Sequence, residues 1–233
     1  MIRLYQFPSL WGLSTASSFC LKLETYLRMA GLDYEVAVET NPGKAPKGKL
    51  PYIEDGDTVV ADSSMVIDYL KGAYGDPLDS HLKPGDRAGV HALQRMIEES
   101  LYWTVMYSRW VDADGWRLFG PALFGFLPWP LKAVVPRLVR SRVAKSISAQ
   151  GTGRHSQEEV YAMGAADIGA LAGALGSKPY LGGEAPASVD ASAFGLLAQI
   201  LLAPIESPLK SHAQGFASLT GYCERIRDGY FRR

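Results

Sequence analysis

The sequence contains few of the residues that build metal centres, disulfide frameworks or nucleic-acid surfaces. Only 2 cysteines and 4 histidines occur in 233 residues, and Cys20 and Cys223 stand far apart with no CxxC or Cys/His spacing. The pattern indicates neither a zinc site nor a disulfide framework, and it favours a reducing compartment. Basic and acidic residues balance at 24 each. We therefore expect no metal and no nucleic-acid partner.

Long uninterrupted apolar runs are also missing. The N-terminus does not resemble a signal peptide, so we expect a cytoplasmic protein. The most apolar stretch, residues 119–139, carries two basic residues and four prolines, whereas a membrane-spanning helix needs about 20 apolar residues without such breaks. A buried or interface-forming helical connection is our expectation. Peripheral membrane contact through residues 119–145 stays open, because basic residues follow the apolar run at Arg137, Arg140, Arg142 and Lys145.

The first 75 residues alternate between strand and helix patterns. Turn residues such as Gly31, Gly56 and Gly75 separate the segments. Residue spacing predicts strands at Ile2–Tyr5, Tyr34–Glu39, Tyr52–Glu54 and Thr58–Ala61, and helices at Ser18–Ala30 and from Ser63 to Gly75. The predicted order is β-α-β followed by β-β-α.

From residue 84 onwards the pattern changes to long helices. Apolar side chains recur three or four residues apart in three segments, around residues 90–105, 160–175 and 194–201. The turn-rich stretch DPLDSHLKPGD separates the two halves. We therefore predict two domains, residues 1–76 with a sheet and residues 84–233 with helices alone.

Three motifs carry a resemblance to a known family: SSFCLKLETYLRMAGL at 17–32, GKLPYIEDG at 48–56 and ADSSMVIDYL at 61–70. In this order and spacing they resemble the glutathione S-transferase superfamily. CLKLETYLRMAGLDYE, GTGRHSQEE at 151–159 and SVDASAFG at 188–195 resemble its metaxin and failed-axon-connections branch. The resemblance implies an α/β thioredoxin-like N-terminal domain that binds glutathione, an all-α C-terminal domain and a homodimer.

The resemblance assigns Leu50-Pro51 to the place of the family's cis-proline. There the residue before the proline keeps its N–H and C=O free to pair with the glutathione backbone. A trans proline that opens a strand is the alternative. Lys49 would pair with one carboxylate of glutathione, although Lys44 and Lys47 compete for that role and a solvated basic loop explains all three equally well.

The start of the second helix is the predicted site for the γ-glutamyl carboxylate. Ser63 would offer a hydroxyl and the helix N-terminus its free N–H groups. Asp62 would meet the ammonium group of the ligand, although the family commonly has Glu there. Helix capping by Ser63 is the alternative.

Activation of the glutathione thiol falls on Ser17, which aligns with the family's catalytic position at the first helix. Its hydroxyl would donate a hydrogen bond to the thiolate, which the helix N-terminus also stabilises. Because the usual proline is replaced by Ser18 and the preceding loop is longer than in ordinary transferases, Ser14, Thr15 and Ser18 remain alternatives. Simple helix capping also remains open.

Cys20 occupies the place of a resolving cysteine in redox relatives. Its partner position holds Ser17, so a dithiol mechanism is not expected, and a small buried residue is the simpler interpretation of Cys20 as of Cys223. In the helical domain Trp103, Tyr107 and Trp110 are candidates for a hydrophobic substrate pocket. Aromatic residues at helical spacing also form ordinary cores.

Two further motifs predict helix starts. Ser156 and Glu159 have the spacing of a capping box, so Arg154 and His155 are interpreted as structural. Ala187 stands where the family has a capping Ser or Thr before Asp190, and we expect Ser188 to cap the helix instead.

The sequence therefore predicts a protein that binds glutathione and conjugates its thiolate to a small hydrophobic electrophile. A non-catalytic metaxin-like interaction or membrane-surface protein is the main alternative. A glutathione-dependent peroxidase or thiol transferase that uses Cys20 is the second alternative.

Overall fold

The computed structural model describes residues 1–232. Its N-terminal part holds a four-stranded sheet and two helices, in the order that the sequence predicts. The elements are β1 (Ile2–Gln6), α1 (Ser18–Met29), β2 (Tyr34–Val38), β3 (Tyr52–Asp55), β4 (Thr58–Ala61) and α2 (Ser63–Tyr74). Each predicted strand and helix of this part is found within one or two residues of its predicted bounds.

The strands are ordered β2-β1-β3-β4 in one mixed sheet. β1 pairs in parallel with β2, with Ile2 opposite Tyr34, and antiparallel with β3, with Ile2 opposite Asp55. A hairpin joins β3 to β4, with Asp55 opposite Thr58. This is the thioredoxin-like arrangement that the resemblance implies.

The remaining described chain is helical. It consists of α3 (Pro84–Met96), α4 (Tyr102–Trp110), α5 (Ala113–Phe124), α6 (Leu131–Gln150), α7 (Gln157–Leu175), α8 (Ser188–Leu201), α9 (Pro208–Gln214) and α10 (Ala217–Tyr230). A π-helical turn at Ile97–Leu101 joins α3 to α4. The predicted capping box is present at α7, where the Ser156 and Glu159 side chains each accept a backbone N–H of the other residue.

Helix α8 lies at the centre of the helical domain and packs closely against α1. Every residue of α8 from Ser188 to Ile200 is buried, as the nearly continuous apolar sequence predicts. At the crossing a Cβ added to Gly195 would lie 2.7 Å from the Ser18 carbonyl oxygen and 2.8 Å from the Lys22 nitrogen. Only glycine fits at this point, and the two domains therefore meet backbone against backbone.

The start of α8 corrects one expectation. Ala187 is its N-cap residue and makes no side-chain capping bond. Ser188 does not cap either; it donates its backbone N–H and its hydroxyl to the Asp79 carboxylate, at 2.7 and 2.6 Å. Lys71 of α2 pairs with the same carboxylate. Burial raises the pKa of Asp79, but these bonds outweigh burial and hold the pKa below its usual value. The segment between the two domains thus supplies the cap.

The apolar stretch 119–139 forms the end of α5, a turn and the start of α6. No helix within residues 1–232 is both long and apolar enough to cross a membrane. Part of the stretch is buried, since Phe119 packs in a core cluster with Tyr107 and Trp110. Another part is exposed, including Phe126 and Trp129.

Candidate functional site

Three segments that are distant in sequence meet at one edge of the sheet: the start of α1, the start of β3 and the start of α2. Cys20 of α1 packs in one buried cluster with Leu50 and with Ala61, the residue before Asp62. The second turn of α1 and the first turn of α2 are joined by a hydrogen bond from Lys22 Nζ to Ser64 Oγ at 2.8 Å. The fold therefore brings Ser17, Leu50-Pro51 and Asp62-Ser63 together.

Ser17 is the N-cap residue of α1. Its Oγ accepts the backbone N–H of Cys20 at 3.4 Å, and its own N–H donates to Thr15 Oγ1 at 3.4 Å. A serine hydroxyl has one donor in addition to its acceptor sites. Capping and thiolate binding are thus compatible, because accepting the Cys20 N–H does not use the hydroxyl proton of Ser17.

The other hydroxyls near this helix are placed differently. Thr15 is completely buried, and its carbonyl accepts a hydrogen bond from the Gln199 side chain at 3.1 Å. Ser14 and Ser18 are half-buried. Ser18 lines a small cavity between the domains, so it remains the alternative donor with access to a ligand.

The peptide bond between Leu50 and Pro51 is cis, as predicted. Both residues are buried, whereas Lys44, Lys47 and Lys49 are exposed. Lys44 pairs with Glu39 at 3.2 Å. Within residues 1–232 Lys49 makes no ion pair, so it stays available for a carboxylate.

Asp62 is the N-cap residue of α2, and Ser63 is its first helical residue. Asp62 Oδ1 accepts the N–H groups of Ser64 and Met65 at 2.9 and 3.4 Å, so Asp62 rather than Ser63 provides the cap. Within residues 1–232 the second carboxylate oxygen, Oδ2, has no hydrogen-bond or ion-pair partner, so it is available for a cation. Asp62 has a φ of 85°, which is uncommon for a residue other than glycine, and backbone strain of this kind clusters at functional sites. The buried Ser63 hydroxyl sits at the helix end that favours anions.

A buried polar network lies directly behind these residues. Lys22 Nζ and Glu98 Oε1 are 2.7 Å apart, with side chains 2% and 8% exposed. Glu98 also accepts the Ser192 hydroxyl at 2.7 Å and the Gln94 amide at 3.2 Å. The π-helical turn holds Glu98 in this position between the domains.

A small cavity lies between the domains, and the residues predicted for the substrate pocket do not line it. It is lined by Ser18, Phe19, Lys22, Ile97, Glu98, Tyr102, Ser192 and Leu196. Tyr107 and Trp110 lie instead in the helical core, only 8% and 7% exposed, because Trp110 packs edge-on against Phe119 with ring centroids 5.2 Å apart. Trp103 is half-buried and packs against Tyr102 at 5.3 Å. Tyr102, one residue earlier on α4, is therefore the aromatic residue at the cavity.

Cys20 is completely buried. Burial raises the pKa of its thiol to about 11, although hydrogen bonds from Ser17, Phe7 and Thr15 oppose the shift. Because the thiolate is the reactive form, Cys20 is unreactive near neutral pH. Cys223 is equally buried, and its pKa is raised for the same reason.

Sequence reasoning missed the contribution of the loop between β1 and α1. Leu10 and Leu13 exchange two backbone hydrogen bonds at 3.1 and 3.0 Å around Trp11, which has a φ of 54°. The Trp11 ring packs against Phe119 of α5 at 6.0 Å. The longer loop therefore packs the sheet domain against the helical domain beside Ser17. The Trp-Gly pair in the loop was the available turn signal.

Comparison with known proteins identifies the family. The sequence model of the glutathione S-transferase N-terminal domain matches residues 18–115, and that of the glutathione S-transferase C-terminal domain matches residues 164–226. The β-etherase LigF from Sphingobium sp. strain SYK-6 has a similar structure, with a TM-score of 0.67 and 18% identity over 97% of this chain and 94% of that chain. The chain has the glutathione S-transferase fold.

Relatives with similar sequences indicate the branch of the family to which the chain belongs. It is 36% identical to an isoprene-epoxide–glutathione S-transferase of Rhodococcus sp. (strain AD45), over 99% of each chain. It is 32% identical to Failed axon connections of Drosophila melanogaster, over 99% of this chain but only 58% of that longer protein. Identity to metaxin-1 of Mus musculus is 27%, over 96% of this chain and 73% of metaxin-1. The chain belongs to the glutathione S-transferase family, in the metaxin-like branch.

Proposed function

We propose that this protein binds glutathione where α1, β3 and α2 meet and conjugates its thiolate to a small hydrophobic electrophile. The convergence of Ser17, Leu50-Pro51 and Asp62-Ser63 at one sheet edge carries the proposal. Each segment meets one need of the tripeptide: a thiolate donor, a free backbone edge and an anion-binding helix start.

In the proposed binding mode the glutathione backbone lies along Leu50 as an added strand. Its γ-glutamyl carboxylate accepts the Ser63 hydroxyl and N–H, and its ammonium group faces Asp62 Oδ2. Lys49 is available for the glycyl carboxylate. The sulfur then lies near Ser17 Oγ, where the N-terminus of α1 also favours negative charge.

The reaction class is nucleophilic attack by the glutathione sulfur on carbon. For an epoxide, the S–C bond forms as the C–O bond breaks, and the resulting alkoxide takes a proton from solvent or from a nearby donor. The name of the Rhodococcus relative is the support for an epoxide as the electrophile. Tyr102 lies at the cavity, and because burial raises its pKa to about 12 it keeps its proton and can donate a hydrogen bond there.

Replacing Ser17 with Ala is the test of thiol activation. We expect the pKa of the bound glutathione thiol to rise by about one unit or more, since a hydrogen bond to a charged group contributes about 1.5–3 kcal/mol. Conjugation at pH 7 should fall about tenfold or more. The measurement is a pH titration of thiolate absorbance in the complex, together with the conjugation rate on a small epoxide.

Ser9→Ala is the matched control, because Ser9 is an exposed serine in the same loop. An unchanged thiol pKa in Ser17→Ala, with a raised pKa in Ser18→Ala, would assign the role to Ser18 and contradict the proposal for Ser17. If the pKa of the bound glutathione thiol is unchanged in both Ser17→Ala and Ser18→Ala, the helix N-terminus alone activates the thiol.

A non-catalytic interaction protein is the second candidate function, supported by the similarity to Failed axon connections and metaxin-1. Absence of glutathione binding would favour it. Thiol chemistry at Cys20 has no such support, because that thiol is buried with a raised pKa. Homodimer formation and a cytoplasmic location remain predictions from the sequence.

A further inference from the structure

The exposed face of α6 and the turn before it carry large apolar side chains that nothing in residues 1–232 covers. Phe126 and Trp129 in the turn are 67% and 85% exposed, and Leu131, Val134 and Leu138 on α6 are 50%, 52% and 65% exposed. These five residues are called the apolar face below. Large exposed apolar patches mark interaction surfaces.

The apolar face continues directly into basic residues along the same side of α6. With 3.6 residues per turn, Leu131, Val134, Leu138, Arg142 and Lys145 lie within about 80° around the helix axis. The stripe is apolar in its first half and cationic in its second. A shallow groove lined by Leu138, Arg142, Lys145 and their neighbours runs along the cationic half.

The charge of this region has one sign over a long stretch. Between Asp114 and Glu158 the sequence contains no acidic residue. It contains seven basic residues: Arg117, Lys132, Arg137, Arg140, Arg142, Lys145 and Arg154. Arg140 is used internally, because it donates to the carbonyls of Trp110 and Val111 at the end of α4. Arg137, Arg142 and Lys145 are exposed and form no ion pair within the described residues.

We propose that this face binds the surface of a membrane that contains anionic lipid. The tip formed by Phe126, Trp129 and Leu131 enters the boundary between headgroups and acyl chains, where tryptophan is favoured. The cations of α6 lie along the headgroups, where the negative surface potential of the anionic lipid attracts them. A second copy of this chain fits less well, because a symmetric contact through the same face would bring identical cations together.

The test is co-sedimentation of the full chain with vesicles of phosphatidylcholine alone or of phosphatidylcholine with phosphatidylglycerol. We expect binding to the anionic vesicles, weak binding to the neutral ones, and a marked loss as salt rises. The double variant Arg142→Glu/Lys145→Glu should lower the partition coefficient by on the order of tenfold or more. Phe126→Ser/Trp129→Ser should lower it by a similar factor at unchanged charge.

The control is Lys83→Glu/Lys178→Glu, which makes the same change in net charge at two exposed residues outside the stretch. It should retain most of the binding. Absence of binding to anionic vesicles at low salt would overturn the proposal, as would equal losses in the control and in Arg142→Glu/Lys145→Glu. A chain that dimerises in solution, and that Phe126→Ser/Trp129→Ser makes monomeric without any vesicle binding, would assign the face to a second copy instead.

Discussion

Replacing Lys22 with Met is expected to lower the free energy of unfolding by about 3–5 kcal/mol, because it leaves the Glu98 carboxylate buried without its cation. The side chains of this pair are 2% and 8% exposed, and they join α1 to the π-helical turn of the helical domain. Ser192 and Gln94 still donate to Glu98, so the loss should fall nearer the lower value. Urea unfolding at pH 7 measures it.

The exposed pair Arg95–Glu99 is the matched control, since Glu99 lies in the same π-helical turn as Glu98 and the two side chains of the pair are 57% and 56% exposed. Arg95→Met should cost no more than about 0.5 kcal/mol. The double variant Lys22→Met/Glu98→Leu should recover part of the stability, because it leaves no buried charge. Equal losses in Lys22→Met and Arg95→Met would contradict the structural role assigned to the pair.

Replacing Gly195 with Ala is expected to separate α1 from α8 and to lower the free energy of unfolding by about 1–3 kcal/mol. The added Cβ would lie 2.7 Å from the Ser18 carbonyl oxygen and 2.8 Å from the Lys22 nitrogen, both backbone atoms that cannot rotate away. Because Ser17 precedes this contact, we also expect weaker activation of the glutathione thiol. Urea unfolding and the thiol titration measure the two effects.

Gly173→Ala in α7 is the control, and it is not expected to lower the free energy of unfolding. Nothing lies within 4 Å of a Cβ built at Gly173, and alanine is favoured over glycine inside a helix by roughly 1 kcal/mol. This variant should gain stability or remain unchanged. A Gly195→Ala protein as stable as Gly173→Ala would show that the α1–α8 contact is looser than the structure indicates.

Local signals predicted the sheet domain well. In the first 75 residues, alternation of apolar and polar residues predicted the strands, helical spacing predicted the helices, and adjacent glycines marked their ends. The cis bond at Leu50-Pro51 followed from the resemblance. The capping box of Ser156 and Glu159 was readable because both residues lie in one turn. Such features depend on neighbours in sequence, which a single sequence displays.

Interactions between the domains were not predictable in the same way. Asp79 caps α8 from 109 residues away, and no local pattern distinguishes it from other acidic residues in a turn-rich segment. In the sequence, Lys22 and Glu98 are visible only as charged residues within apolar helices. Nothing in the sequence shows that their side chains meet. Tyr107 and Trp110 have the helical spacing of core and pocket residues alike, and only the packing against Phe119 separates the two interpretations.

Glutathione binding by calorimetry tests the central claim most directly, on the wild-type chain, Ser63→Ala and Ser80→Ala. Ser63 is buried at the start of α2, whereas Ser80 is an exposed serine in the segment between the domains. We predict that the wild type and Ser80→Ala bind glutathione equally. Ser63→Ala should bind about tenfold more weakly, since a hydrogen bond to a carboxylate is lost. No binding by the wild type at millimolar glutathione, or equal affinities for all three proteins, would contradict the proposed site.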